Sequence, residues 1–263
     1  MDIIERNRDA WDRESRSGSE WCTPVDGETI RAARHGVWSV ILTPTKRVPS
    51  AWFGDIRGKR VLCLASGGGQ QAPVLAAAGA QVTSFDLSAE QLAKDEQVVR
   101  REGLALVCMR GHMADLSPLA AESFDLIFHP VSNLFVPDVT AVWRECHRVL
   151  KPGGALLAGF MNPCFFLFDH TEAERSGTLI VRYRLPYREP DSLDAHARAQ
   201  WRASGRAAEF SHSLEAQIGG QLAAGFVLTD LYEDTWSDDA TPLNPYLPVA
   251  IATRAVKVER PIC

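Results

Sequence analysis

The stretch Val61-Leu62-Cys63-Leu64-Ala65-Ser66-Gly67-Gly68-Gly69-Gln70-Gln71, answered by Asp86, limits what this chain can fold into more than any other. Four apolar residues at 61–64 form a short unbroken run, the pattern of a parallel strand buried on both faces. The run breaks into three consecutive glycines, where backbone can take positive φ and a ligand can approach with no Cβ in the way. Gln70 to Ala78 reads as a helix stopped at Gly79, with its first amides facing the glycine loop. Gln81 to Phe85 is a second strand, and Asp86 ends it, twenty residues after Ser66. In a βαβ unit an acid so placed lies beside the first loop and can accept both hydroxyls of a ribose. The stretch is expected to bind a nucleoside. Dinucleotide enzymes space their glycines Gly-x-Gly-x-x-Gly, whereas Gly67 and Gly69 are followed by Gln70, Gln71 and Ala72, so that fingerprint is absent.

From residue 55 onward strands and helices alternate with short connections, which predicts an α/β, doubly wound and mostly parallel sheet covered on both faces. Ser88 caps a helix running to about Arg101, with Gln91 in the capping-box position and Gly103 as the stop. Further strands are expected at Leu104–Met109, Ser123–His129, Ala155–Phe160, Phe226–Tyr232 and Tyr246–Val258, and helices at Asp138–Val149 and Ser213–Ala224. Residues 161–212 interrupt the alternation. A segment of that length is too long for an ordinary connection and is expected to have structure of its own. Residues 1–54 carry Trp11, Trp21, Trp38 and Trp52, which implies burial against the rest, with helices at Ile3–Arg16 and Glu28–Trp38.

The glycine stretch resembles the first motif of class I S-adenosylmethionine-dependent methyltransferases, acid-x-Gly-x-Gly-x-Gly. Gly67 and Gly69 match its last two glycines, while Cys63 stands where the acid would be and Ala65 where the first glycine would be. Arg148-Val149-Leu150-Lys151-Pro152-Gly153-Gly154 resembles the turn before that family's fifth strand. The resemblance implies a Rossmann-like seven-stranded sheet with an antiparallel last strand, spanning 55–160 and 213–263. It also implies an N-terminal helical lid over 1–54 and an inserted substrate cap over 161–212. S-adenosylmethionine is the implied cofactor. Asp86 would take its ribose and Leu87 its adenine face. The Gly67–Gln70 amides, with Ala65, Ser66 and either Gln70 or Gln71, would take its amino-acid end. The Gly111-His112-Met113-Ala114 loop carries His112 where relatives carry an acid for the adenine amino group, and Met113 would read the adenine edge. Gln91, at the start of the next helix, belongs to the same expected set.

Net charge is −5 with no block of like charges, so no nucleic-acid backbone partner is expected, and no run is long enough to span a membrane. Six scattered cysteines read as reduced thiols in a cytoplasmic protein, Cys63 and Cys108 in buried strands, and no metal-binding spacing appears. The expected partner is a small-molecule methyl acceptor. His129, ending the fourth strand, reads either as a general base, as a wall of the cofactor pocket, or as a residue hydrogen-bonded within the loop before Pro130. Trp38, Asn133, Asn162 and Phe165 are the candidate acceptor contacts. No serine or cysteine has the flanking base that nucleophilic catalysis needs. The departures at Cys63 and His112 leave a binding module without catalysis as the alternative.

Overall fold

The computed structural model describes residues 2–237 and 240–258; Cys263 lies outside them. Two helices, α1 (Ile3–Ser17) and α2 (Gly27–Arg34), precede the sheet. The alternating half runs β1 (Arg60–Leu64), α3 (Gln71–Ala77), β2 (Gln81–Asp86), α4 (Ala89–Glu102), β3 (Leu106–Arg110), β4 (Phe124–His129), α5 (Val139–Val149) and β5 (Leu150–Met161). The helices α6 (His170–Ser176) and α7 (Ala195–Ser204) lie in the long segment, and α8 (Gly220–Ala223), β6 (Phe226–Asp234) and β7 (Ala250–Lys257) follow it. The seven strands are ordered β3-β2-β1-β4-β5-β7-β6, with β7 antiparallel to both neighbours. Strand order reverses between β1 and β4, so the crevice that such sheets use for ligands opens there, at the carboxyl ends.

The unbroken apolar run of β1 has a direct packing cause. Val61 and Cys63 enter one core with α2 and α3, while Leu62 and Leu64 enter a second with α5. Successive side chains point to opposite faces, so a strand covered on both sides must be apolar at every position. A third core joins the long segment (Phe166, Tyr187, Trp201, Phe210) to Leu243 and Val249 and, at its edge, to Ile3 of α1. Asn7 ties α1 in place. Its side chain donates to the Phe135 carbonyl at 2.7 Å and accepts from the Ala208 amide at 2.7 Å.

Several expected boundaries move. α2 ends at Arg34, because Gly36 at φ +82° turns the chain, and Trp38 lies beyond the helix. Strand β5 begins at Leu150, and β7 only at Ala250, with Tyr246 76% exposed in the preceding turn. The helix expected over 213–224 opens instead with a π-helical turn, Glu215–Gly219. Ser88 caps α4 through the Gln91 amide at 3.1 Å, but the Gln91 side chain turns to the Cys22 sulfur, so only half of the capping box forms. Cys108 is half-buried on the edge strand β3, while Cys63 is fully buried as expected. Trp21 is 42% exposed. No helix among the described residues is long and apolar enough to cross a membrane.

A strap, residues 40–48, crosses the carboxyl ends of the strands. Val131 donates to the Leu42 carbonyl at 2.9 Å, and Leu42 packs so close to β5 that a Cβ on Gly159 would fall on that carbonyl oxygen. Gly159→Ala should therefore cost about 1–3 kcal/mol as an overpacked contact against backbone. Gly103→Ala, at φ +63° with open space around it, should cost about 1 kcal/mol from backbone strain alone. Urea unfolding of the two variants reads the difference; equal losses would show that the strap moves freely.

Candidate active site

Beyond β1 the chain turns at Ala65, whose φ of +48° is uncommon for a residue with a Cβ and suits the glycine usual at that place. The next three turns of backbone are held from one side. The Gly67 amide donates to Asp86 Oδ2 at 3.0 Å, the Gly68 amide to the Gln91 carbonyl at 3.0 Å, and the Gly69 amide to Asp95 Oδ1 at 2.8 Å. The amides of Gly67, Gly68 and Gly69 are thus engaged by protein acceptors, which leaves the Gln70 amide as the one of the expected set not so engaged among the described residues. Asp95 went unnoticed in the sequence. It is fully buried on α4, also accepts from Ser84 Oγ at 2.6 Å, and burial pushes its carboxyl up to about 7. Cys63, in the acid's place, is pushed up by burial, with the field of Asp95 adding to it.

A cavity of about 380 Å³ opens over this loop. Ala65, Ser66, Gly67, Gln70 and Gln71 line it from β1 and α3, and Asp86, Leu87 and Gln91 from β2 and α4. His112 and Met113 line it after β3, and Phe165 from beyond β5. Burial raises the Asp86 carboxyl, against which its hydrogen bonds from the Ser88, Gly67 and Leu87 amides act. Ser66 Oγ and Gln91 Oε1 are buried with no hydrogen-bond partner among the described residues. His112 accepts from the Ala114 amide through Nδ1 at 3.3 Å, so its neutral ring presents an Nε2 donor, the reverse of the acceptor expected for an adenine amino group.

The other candidates lie outside the lining. Gly69 packs against Pro24, and Ala114 joins the core around α5. His129 is fully buried between β1 and α5: its Nδ1 donates to the Leu64 carbonyl at 2.9 Å, and burial lowers its pKa to about 4. The geometry of a base facing the crevice is absent. Asn133 forms a reciprocal amide pair with Gln217, which the π-helical turn points inward. Asn162 caps the Cys164 amide and holds the Pro248 carbonyl, and Trp38 packs edge-on against Phe53 at 5.0 Å between centroids.

The far end of the cavity was not legible in the sequence. Asn7 and Trp11 reach it from α1, Leu134 and Phe135 from the loop after β4, and the strap contributes Ile41 to Pro44. Trp21 and Trp236, 5.7 Å apart, stand over it. Glu209 lines both this cavity and a neighbouring recess of about 280 Å³. Its backbone pairs with Glu189, but its carboxylate has no hydrogen bond among the described residues, only Arg206 at 3.9 Å. That guanidinium is engaged more closely by Glu189. The surrounding protein pushes Glu209 up to about 7, a shift tempered by solvent because 34% of its side chain stays exposed. Asp86 and Glu209 are the charged side chains on the wall, and no lysine or arginine lines it among the described residues. An acid beside a Cβ-free loop, two unpaired buried polar atoms and an anionic wall fit a cationic nucleoside such as S-adenosylmethionine.

Comparison with known proteins agrees. A family model described as a methyltransferase domain matches residues 62–158. The chain is 47% identical over 256 residues to the uncharacterized methyltransferase YbaJ of Bacillus subtilis, covering 97% of this chain and 99% of that one. It is 37% identical over 134 residues to a ubiquinone biosynthesis O-methyltransferase of Xanthomonas oryzae, 49% of this chain and 54% of that protein. An S-adenosylmethionine-dependent methyltransferase from Mesorhizobium loti superposes with a TM-score of 0.58 at 19% identity, covering 78% of this chain and 94% of that one.

The buried Asp95 has a consequence for stability. Its folded pKa of about 7 lies above the unfolded value near 3.9, so the folded state holds the extra proton between the two. Stability contributed by that proton is complete below the unfolded pKa and is lost as pH rises through the folded one. Asp95→Asn keeps an acceptor for the Gly69 amide and a partner for Ser84, and should flatten the fall in urea-unfolding free energy between about pH 4 and 7. An unchanged slope would assign the effect to another group.

Proposed function

Because the chain belongs to the class I S-adenosylmethionine-dependent methyltransferases, we propose that it methylates a small, largely apolar acceptor, chiefly by proximity and orientation. The observation that carries this is one cavity lined both by the segments after β1 to β3 and by those after β4 and β5, on opposite sides of the switch point. Asp86, the glycine loop and the loop after β3 form a polar end suited to a nucleoside; Trp11, Leu134, Phe135 and Phe165 form an apolar end suited to the acceptor. When bound, the cofactor supplies an activated methyl group on a sulfonium, already a good leaving group. The chain's own residues then have to bind, align and exclude water.

In this reading Asp86 holds the ribose. Each carboxylate oxygen already accepts one amide, from Gly67 and from Ser88, and keeps a lone pair for a hydroxyl. Ser66 Oγ and Gln91 Oε1 are buried polar atoms that a ligand would satisfy. Residues 1–54 and 161–212 act as the cover, with α1 pinned between them: Arg6 donates to the Arg206 carbonyl, Asn7 to that of Phe135, and Ser15 to that of Glu90. Asp95 gives the loop a carboxylate for the Gly69 amide, while Cys63 leaves the cofactor without the acid usual at its place.

S-adenosylmethionine should bind the purified protein in a calorimetric titration. Asp86→Ala should weaken it by about 5–150-fold, the effect of about 1–3 kcal/mol for hydroxyls left without their acceptor. Asp86→Asn, which keeps one acceptor oxygen for the loop amides, should fall between. Wild-type affinity in a folded Asp86→Ala protein would take the ribose away from this carboxylate.

A further inference from the structure

We propose that Glu209 is the proton acceptor of the reaction, and that the acceptor molecule carries a weakly acidic hydroxyl, phenolic or enolic, on an apolar frame. The inference rests on the methyltransferase reading above and identifies the chemistry of the cavity's second end.

Position is the first ground. The strands whose ends bear the nucleoside features, β1 to β3, lie on one side of the switch point, and the segments that follow β4 and β5 lie on the other. Glu209 belongs to the second group: the next residue, Phe210, donates its amide to the Leu134 carbonyl, and Phe135 and Trp11 line the adjoining recess with it. The polar lining side chains around it are already engaged: Asn7 on Phe135 and Ala208, Thr43 on Tyr232, and Ser132 on the Pro130 carbonyl. Among the described residues Glu209 is the titratable group of that end. The charged groups around it are Arg206, at 3.9 Å, behind it Glu189, which holds Arg206 through a buried carboxylate, and Arg13 and Glu14 of α1, which line the adjoining recess with it.

Chemistry is the second ground. A hydroxyl that gains a methyl group must lose its proton, and Glu209 is the carboxylate on that part of the wall placed to take it. The acceptor oxygen bonds to the methyl carbon, the carbon–sulfur bond breaks with its electron pair left on sulfur, and the hydroxyl proton passes to a Glu209 Oε. Sulfonium and carboxylate are both discharged, so neither reacting centre is left charged. An apolar wall favours such a step, since it poorly solvates the charges that are lost. An ammonium acceptor would instead leave a cation behind in the same wall. An alkyl alcohol is too weak an acid for a carboxylate, whereas a phenol, with a pKa of about 10, is within reach of a base near 7. A carboxylic acid acceptor would be repelled by Glu209 and would need no base.

Two measurements test this. In the first, S-adenosylmethionine and S-adenosylhomocysteine are titrated into the protein near neutral pH in buffers of different ionisation enthalpy, which counts the protons released. The sulfonium should ionise Glu209 and release more protons than the uncharged thioether, and Glu209→Gln should abolish the difference. A difference that persists in Glu209→Gln, or is absent in the wild type, overturns the assignment. In the second, methyl transfer is measured on phenol, para-chlorophenol, para-nitrophenol and benzylamine. Phenols should be methylated, and Glu209→Gln should lower turnover by about 10²–10⁴-fold on phenol, with a smaller loss on para-nitrophenol, which ionises unaided. Glu209→Asp, checked for folding beside it, should recover part of the rate. Methylation of benzylamine alone, no methylation of any phenol, or full turnover by Glu209→Gln overturns the proposal. A wild type that binds neither cofactor form would instead overturn the methyltransferase reading itself.

Discussion

Three consecutive glycine amides, each captured by an acceptor from β2 or α4, fix the loop on which the whole upper half of this molecule rests. An amide buried without a partner costs about 1–3 kcal/mol, so a loop that turns three of them inward has to be met by three acceptors. Asp86, the Gln91 carbonyl and Asp95 are those acceptors. The missing side chains matter as much. Trp21's carbonyl and Pro24 lie where a Cβ on Gly68 or Gly69 would stand, and the Val25 amide donates to the Gly69 carbonyl at 2.9 Å. The chain between α1 and α2 can therefore settle directly on the loop. That contact places Trp21 beside Trp236 and Trp11 beside Phe135, where the rings cross edge-on at 5.1 Å between centroids.

What the sequence revealed follows from how local each signal is. The sheet was legible because burial on both faces forces unbroken apolar runs, and because caps and glycine stops are chemical facts of single residues. Asp86 was legible because its place after β2 is set by the βαβ unit. Asp95 had a signal that went unused. Gln91, Leu92, Asp95 and Val98 form the buried stripe of α4, so the acid sits within an apolar helix face rather than among its solvated neighbours. Glu209 had none. Its surroundings, Ala207-Ala208-Glu209-Phe210, show no period, and its position comes from pairing with Glu189 and from Asn7, some two hundred residues away along the chain.

His129 shows why a strand end is an incomplete address. Its place at the end of β4 was read correctly, but side chains stand perpendicular to a sheet and alternate between its faces. The pleat at 129 points toward α5, where Trp143 meets the ring edge-on at 6.0 Å and the Leu64 carbonyl takes its proton. A ring so desolvated stays neutral, with burial holding it down near 4. The crevice is reached instead by the loop just beyond, through Pro130, Val131 and Ser132. Residues one to three positions past a strand, free of the pleat, face the ligand space that the topology creates.

Electrostatics joins these features. Asp86, Asp95 and Glu209 are each raised by burial before any other cause; no lysine or arginine lines the cavity among the described residues, and Arg206, behind Glu209, offsets only that one in part. Such a site resists ionisation while empty and favours whatever brings a positive charge to it. A bound cation and the ionisation of Glu209 stabilise each other reciprocally, because a ligand that lowers a pKa is held more tightly by the ionised form. The same coupling acts in reverse once the methyl group has moved. With the sulfur uncharged and Glu209 holding the proton, the attraction that drew the cofactor in is gone. Exchange of that proton with water through the neighbouring recess then restores the anionic wall for the next cation.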